Sequence, residues 1–210
     1  EVALTKGISG SIQSIINEDS KENTDFDTAI FYSINNCQKG LRKIPLGNFL
    51  IKIVVNELAA ELPEIKTYST LSPVPGFADW LKQELDNEKS NVITAKDREI
   101  LSMLHDDAWP DDDEKSQKLK KPLLRFCAWY LTKERRYAKP LDAVARFHFG
   151  NGAQLYSINW MANTTKYGME RSFGLMVNYL YNLKQIEKNH EAYVQKGELA
   201  ISKSVRGLVG

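Results

Sequence analysis

Two cysteines, three histidines and a net charge of +1 leave this 210-residue chain little with which to build metal, disulfide or polyanion chemistry. Cys37 and Cys127 show neither a metal-ligand spacing nor a disulfide framework, which suits a reducing compartment. His105, His148 and His190 lack ligand spacing, so no metal is expected. The balance of 28 basic and 27 acidic residues argues against broad nucleic-acid binding, and any basic character must be local. No apolar run approaches the roughly 20 residues that span a bilayer. No secretory leader, internal repeat or low-complexity segment is visible. The abrupt opening Glu1-Val2-Ala3-Leu4-Thr5 reads as the tail of a strand, so a fragment or trimmed chain is expected and terminal targeting signals lie out of view. What is present is length enough for one large domain with a proper core.

The organising stretch runs from Asp27 to Phe77. Thr28 to Ile34 is β-branched and aromatic, the composition of a strand buried on both faces. The loop Asn35 to Gly47 holds two glycines, a proline and three cations, and opens onto a helix predicted over Asn48 to Glu61. Such a loop can hold an anion, because the first N–H groups of a helix lack internal partners and its dipole favours negative charge there. The helix is apolar nearly all round and should pack on a sheet. Glu64 to Leu71 returns as a strand that ends in Ser72-Pro73-Val74-Pro75-Gly76-Phe77, where the prolines limit further ladder pairing.

Elsewhere, Val2 to Thr5 is a strand and Gly7 to Ile16 has helical spacing, followed by a solvated linker to Asp27. Helices are predicted over Pro75 to Glu88 and Asp97 to Leu104. The acidic run Asp111 to Glu114 reads as a solvated turn rather than a metal site. A long helix covers Lys118 to Arg136, with Pro122 placing its start near Lys121. Asp142 to Phe149, Gly150-Asn151-Gly152 and Ala153 to Trp160 read as strand, turn and returning strand, a hairpin with His148 just before its turn. Asn163 to Met169 reads as a loop, Glu170 to Leu183 as a helix, and the tail from Glu187 as a short helix without chemistry.

A strand, a glycine-bearing loop and a helix also open a Rossmann unit, but G-x-G-x-x-G spacing, a Walker lysine and further βα units are lacking. The late hairpin points instead to an α+β fold, a mixed central sheet with flanking helices. The loop resembles the pyrophosphate loop of the GCN5-related N-acetyltransferase (GNAT) fold, Gln/Arg-x-x-Gly-x-Gly/Ala, although its second glycine comes several residues late.

Five blocks carry a closer resemblance: EVALTKGISG (1–10), FYSINNCQKGLRKIPLGNFLIK (31–52), TLSPVPGF (70–77), DAVARFHFGNGAQLYSINW (142–160) and SFGLMVNYLY (172–181). Together they are similar to the catalytic domain of malonyl-CoA decarboxylases, over nearly the whole of residues 1–210. The resemblance implies an acetyltransferase-like domain that decarboxylates malonyl-CoA to acetyl-CoA and CO2, with a role in fatty acid metabolism. It carries the family's serine and histidine onto Ser72 and His148. By themselves, a serine before proline reads as a turn residue and a lone histidine as an ordinary one. Ser72 is expected to orient the malonyl group and polarise its carbonyl and His148 to protonate C2, roles that could be exchanged. Coenzyme A, part of the substrate rather than a cofactor, is expected on Gln38, Lys39, Gly40, Leu41, Arg42, Gly47, Asn48 and Phe49, with Lys43 near the remaining phosphates. Asn159, Trp160, Asn178 and Tyr179 stay outside the catalytic set.

Family members add an N-terminal helical domain, through which a homo-oligomer is expected. The compartment is cytoplasmic for a bacterial protein and mitochondrial, peroxisomal or cytosolic for a eukaryotic one; the chain ends Gly207-Leu208-Val209-Gly210 rather than in Ser-Lys-Leu. No nucleic-acid or membrane partner is expected. Two other readings remain open at this point: an acyltransferase, which needs an acceptor groove, and a non-catalytic malonyl-CoA-binding module.

Overall fold

A strand of four residues, β1 (Val2–Thr5), lies antiparallel to β2 (Thr28–Phe31), which runs parallel to β3 (Thr67–Thr70). A parallel pair needs a crossover, and α2 (Gly47–Glu61) supplies it. The computed structural model describes residues 1–17, 25–34 and 47–210, and for 47–50 only their place in the helix. The short α1 (Ile12–Asn17) follows β1. Beyond β3 come β4 (Ser72–Pro73), α3 (Phe77–Asp86), α4 (Ala95–Leu101), α5 (Asp113–Thr132), the small ribbon β5 (Arg135–Arg136) and β6 (Lys139–Pro140), and α6 (Ala143–Gly150). The chain then forms β7 (Gln154–Asn159), α7 (Lys166–Ser172), β8 (Met176–Leu180), α8 (Ile186–Lys196) and α9 (Lys203–Val209). Strands β3 and β4 both pair antiparallel with β8, Ser69 opposite Leu180 and Ser72 opposite Val177, and β7 pairs with β8 in turn. The result is the expected mixed α+β sheet.

Each face of the sheet has its own core. Ala29, Phe31, Tyr68, Val177 and Tyr179 join the large cluster shared with α2, α3, α5 and α6. Ile30, Leu71 and Met176 join a smaller one with Ile8, Ile12 and Ile15. The alternation along β2 follows from the two-residue period of a strand. No helix of the described residues is long and apolar enough to cross a membrane.

Three sequence expectations need fuller correction; beside them, the long helix ends at Thr132 so that Arg135–Arg136 form β5, and the loop read over Asn163 to Met169 holds the start of α7. The long helix begins at Asp113, well before Pro122, because Asp112 accepts from the Lys115 N–H and caps it. The acidic run is that cap and first turn, where negative charge suits the helix dipole. The expected helix over Glu170 to Leu183 is instead the end of α7 and strand β8, separated by Phe173 and Gly174 at φ 52° and 75°. Left-handed backbone ends a helix, and β8, with four buried residues in succession, lacks alternation by which to announce itself.

The third correction bears on function. Asp142 to Phe149 is not a hairpin strand: Ala143 to Gly150 form α6. The Asp142 carboxylate accepts from the Ala145 N–H at 2.8 Å, a cap that the alternating pattern hides. Ala145, His148 and Phe149 are buried, an i, i+3, i+4 set. The helix closes in a Schellman motif, with the Ala153 N–H on the His148 carbonyl and the Gly152 N–H on that of Phe149, both at 3.0 Å. Gly152 sits at φ 75°, and a Cβ there would lie 2.1 Å from the Ile186 carbonyl oxygen. Gly152→Ala is therefore expected to destabilise the fold by about 2–3 kcal/mol, backbone strain plus a contact that no rotamer relieves. Urea midpoints measure it; an unchanged midpoint would show that α8 gives way freely.

Candidate active site

The break between β3 and β4 is where side chains enter the ladder. The Asn178 amide donates to the Thr70 carbonyl at 2.8 Å, and the Tyr179 N–H reaches the Thr70 hydroxyl at 3.3 Å. The Leu71 N–H turns to the Phe31 carbonyl at 3.0 Å. Asn178 is held in turn: its carbonyl oxygen accepts from Ser157 and Asn159, each at 2.7 Å, and its amide also reaches the Ser9 carbonyl at 3.0 Å. Thr70 and Ser72, two residues apart along an extended chain, share a face, and the Ser72 hydroxyl donates to that of Thr70 at 2.9 Å.

Against this strand α6 brings its last turn. His148 Nε2 stands 3.0 Å from Ser72 Oγ, across 76 residues of sequence. On the far side of the ring, Nδ1 is 2.8 Å from the hydroxyl of Tyr181, just past the end of β8. Tyr179 stacks on the imidazole, with centroids 4.3 Å apart and planes 20° from parallel. Ser72, His148, Tyr179 and Tyr181 are all buried. The two residues that the sequence singled out thus meet directly.

The protonation pattern follows from the available partners. With the Ser72 O–H on Thr70, the Ser72 oxygen is left to accept, so Nε2 carries the imidazole proton. Nδ1 then accepts the Tyr181 O–H, giving a buried phenol the acceptor it needs. Burial lowers the His148 pKa to about 3, so the ring is neutral at physiological pH. The same burial raises the Tyr181 pKa and keeps it a phenol. The arrangement can pass a proton towards Ser72 while the imidazole exchanges one tautomer for the other and gains no net charge.

The expected coenzyme A contacts are less completely placed. Gln38, Lys39, Gly40, Leu41 and Arg42, with Lys43, lie outside the described residues. Gly47, Asn48 and Phe49 open α2, the 15-residue helix expected to start there. Among the described residues, no three His, Cys, Asp or Glu side chains group as a metal site would require. Sequence reasoning missed Thr70 and Tyr181. Strand periodicity would have placed Thr70 beside Ser72, and Tyr181 escaped because its segment was read as a helix. Thr70→Val, nearly isosteric, is expected to cost about 1–3 kcal/mol by leaving the Tyr179 N–H without that acceptor. A urea midpoint equal to wild type would mean that the ladder re-forms without the hydroxyl.

The sheet, its parallel crossover and the buried serine–imidazole pair define an acetyltransferase-like α+β domain with a site suited to acid–base chemistry. The chain belongs to the malonyl-CoA decarboxylase family: the profile of the malonyl-CoA decarboxylase C-terminal domain matches residues 1–210. Malonyl-CoA decarboxylase, mitochondrial, of Anser anser anser is 40% identical over 99% of this chain and 46% of its own length. The Rattus norvegicus protein of the same name is 37% identical over 99% of this chain and 47% of its own length. Crystal structures of malonyl-CoA decarboxylases from Rhodopseudomonas palustris and Agrobacterium vitis superpose with TM-scores of 0.93 and 0.91, at 46% and 44% identity. They cover all of this chain and 48% and 52% of their own. The chain thus spans about half the length of these relatives.

Proposed function

We propose that this domain decarboxylates malonyl-CoA to acetyl-CoA and CO2. The observation that supports it most is the buried line from Tyr181 through His148 to Ser72, held at 2.8 and 3.0 Å around a neutral imidazole. Loss of CO2 from a malonyl thioester leaves an enolate, whose oxygen must be stabilised and whose C2 must be protonated. The thioester is itself the electron sink, so the reading needs no metal or organic cofactor. The Ser72 hydroxyl can turn from Thr70 to the acyl group and donate there, an interaction typically worth a few kcal/mol when aimed at developing charge. His148 refills that hydroxyl from Nε2. The burial of the imidazole amends the simplest expectation: the proton leaves a neutral ring, with Tyr181 replenishing Nδ1, rather than an imidazolium formed in advance.

For coenzyme A, the proposed seat is the loop Gln38 to Arg42 with Lys43 and the N–H groups of Gly47, Asn48 and Phe49. The support is the start of a 15-residue helix directly after a basic, glycine-bearing loop.

One assay separates this reading from its competitors. The full-length gene product is incubated with malonyl-CoA alone while acetyl-CoA and CO2 are followed. Release without an acceptor is the expected result. Dependence on an added amine would make the protein an acyltransferase, and binding without products a sensor.

A further inference from the structure

Asn151 ends α6 with both polar atoms of its side chain buried in a residue only 8% exposed; its amide lies beside the Tyr181 hydroxyl, yet neither atom completes a hydrogen bond of good geometry. An unpaired buried amide destabilises a fold, so one that persists calls for a use. The residue lines a cavity of about 360 Å³ bounded also by Ile51, Lys52, Tyr181, Ile186, Glu187 and His190. That volume holds several waters at about 30 Å³ each. Its inner wall is buried, formed by Asn151, Tyr181, Ile51 and Ile186, while Lys52, Glu187 and His190 are exposed at the rim. Tyr181 is also the partner of His148, so the cavity wall stands one hydrogen bond from the imidazole and two from Ser72.

The rim's charge says what can use this route. Among the described residues, Glu187 and Glu191 face one ammonium, Lys52, which already pairs with Glu187 at 3.1 Å. These described groups offer an anionic acyl-CoA no unpaired cation, whereas water needs none. The reaction proposed above, on which this inference rests, consumes one proton per turnover, and Ser72 and His148 are both buried.

We infer that this cavity is the proton inlet of the active site, and that Asn151 is a positioning residue that holds the water serving Tyr181. The C2–carboxylate bond breaks and CO2 leaves, its electron pair passing into the enolate. As the thioester carbonyl re-forms, C2 bonds the Ser72 hydroxyl proton. Ser72 takes the proton from His148 Nε2, Nδ1 takes that of the Tyr181 phenol, and the phenol oxygen is reprotonated by cavity water that solvent recharges. The transfers are concerted, because burial disfavours a standing phenolate at Tyr181.

The test uses the full-length protein with Asn151→Leu and Asn151→Ser, assayed on malonyl-CoA in H2O and D2O and by thermal melting. Leucine should lower kcat by about 10- to 100-fold, leave KM within about twofold and enlarge the solvent isotope effect on kcat. It should change Tm little, since the amide it removes completes no hydrogen bond of good geometry. Serine, which retains a donor and an acceptor, should recover most of the rate. A folded leucine variant with wild-type kcat and isotope effect overturns the inlet. A raised KM at constant kcat makes Asn151 a substrate contact instead. A fall in Tm that accompanies the rate loss in both variants reduces it to a structural residue. Wild-type protein that releases no CO2 removes the activity reading itself, whereas failure confined to the variants removes only the inlet.

Discussion

Replacing His148 by asparagine should cut CO2 release from malonyl-CoA by about 10²- to 10⁴-fold, the span of acid–base catalysis, while coenzyme A affinity should stay nearly intact. Asparagine can fill part of the space and make one of the two hydrogen bonds. It cannot accept a proton on one atom and release another from the opposite side of a ring, which is what the line from Tyr181 to Ser72 demands. Binding should survive because the expected phosphate contacts lie on Gln38 to Phe49, elsewhere in the chain. Ser72→Ala should fall as far, and the double variant little further, since groups acting as one unit lose their effect together. Tyr181→Phe should lose less: it removes the donor to Nδ1 and frees the ring to adopt the other tautomer, but leaves Nε2 beside Ser72. Steady-state kinetics with each variant decide it. Full activity in the asparagine variant would take the imidazole out of the mechanism, and a multiplicative double variant would break the relay into two separate contributions.

How much of this was legible in the sequence depends on what each segment offers. The parallel unit β2–α2–β3 was readable because β2 is β-branched and apolar, its helix is long and apolar, and the prolines after Leu71 mark where β3 must end. Ser72 and His148 were readable only through the motifs around them, since neither residue type at its position points to chemistry. Their meeting was not derivable: it needs α6 to be a helix, and Asp142 to Phe149 satisfies both the two-residue and the 3.6-residue period. The outcome rests on the Asp142 cap and the left-handed Gly152, local features that outweigh an alternating pattern only eight residues long. Tyr181 was hidden differently. Strand β8 is buried on both faces, so it carries no periodicity to separate it from the helix before it, and the residues on its histidine-facing side were not distinguished.

Acid should unfold the wild-type protein along a steeper course than the asparagine variant. The His148 pKa is depressed by burial to about 3 in the native state, against about 6.5 when the chain is unfolded and the ring is in water. Above pH 6.5 the ring is neutral in both states and contributes nothing to pH dependence. Between those values the unfolded chain binds a proton that the native site refuses, so stability falls as pH falls, by about 1.4 kcal/mol per unit below about pH 6. Asp142 works the other way. Burial raises its pKa, so in the window above its ordinary value the native state holds more proton, and acidification stabilises. Both proteins carry Asp142, so its effect cancels in the difference between them. The measurement is therefore the gap between wild-type and His148→Asn unfolding free energies, from urea titrations at pH 7, 6, 5 and 4. Whatever its value at pH 7, the gap should shift in favour of the variant by roughly 2–3 kcal/mol by pH 4. Parallel curves would mean that the native site accepts a proton as readily as water does. The ring would then be charged in mildly acid solution, and the proton would reach C2 from an imidazolium rather than through a change of tautomer.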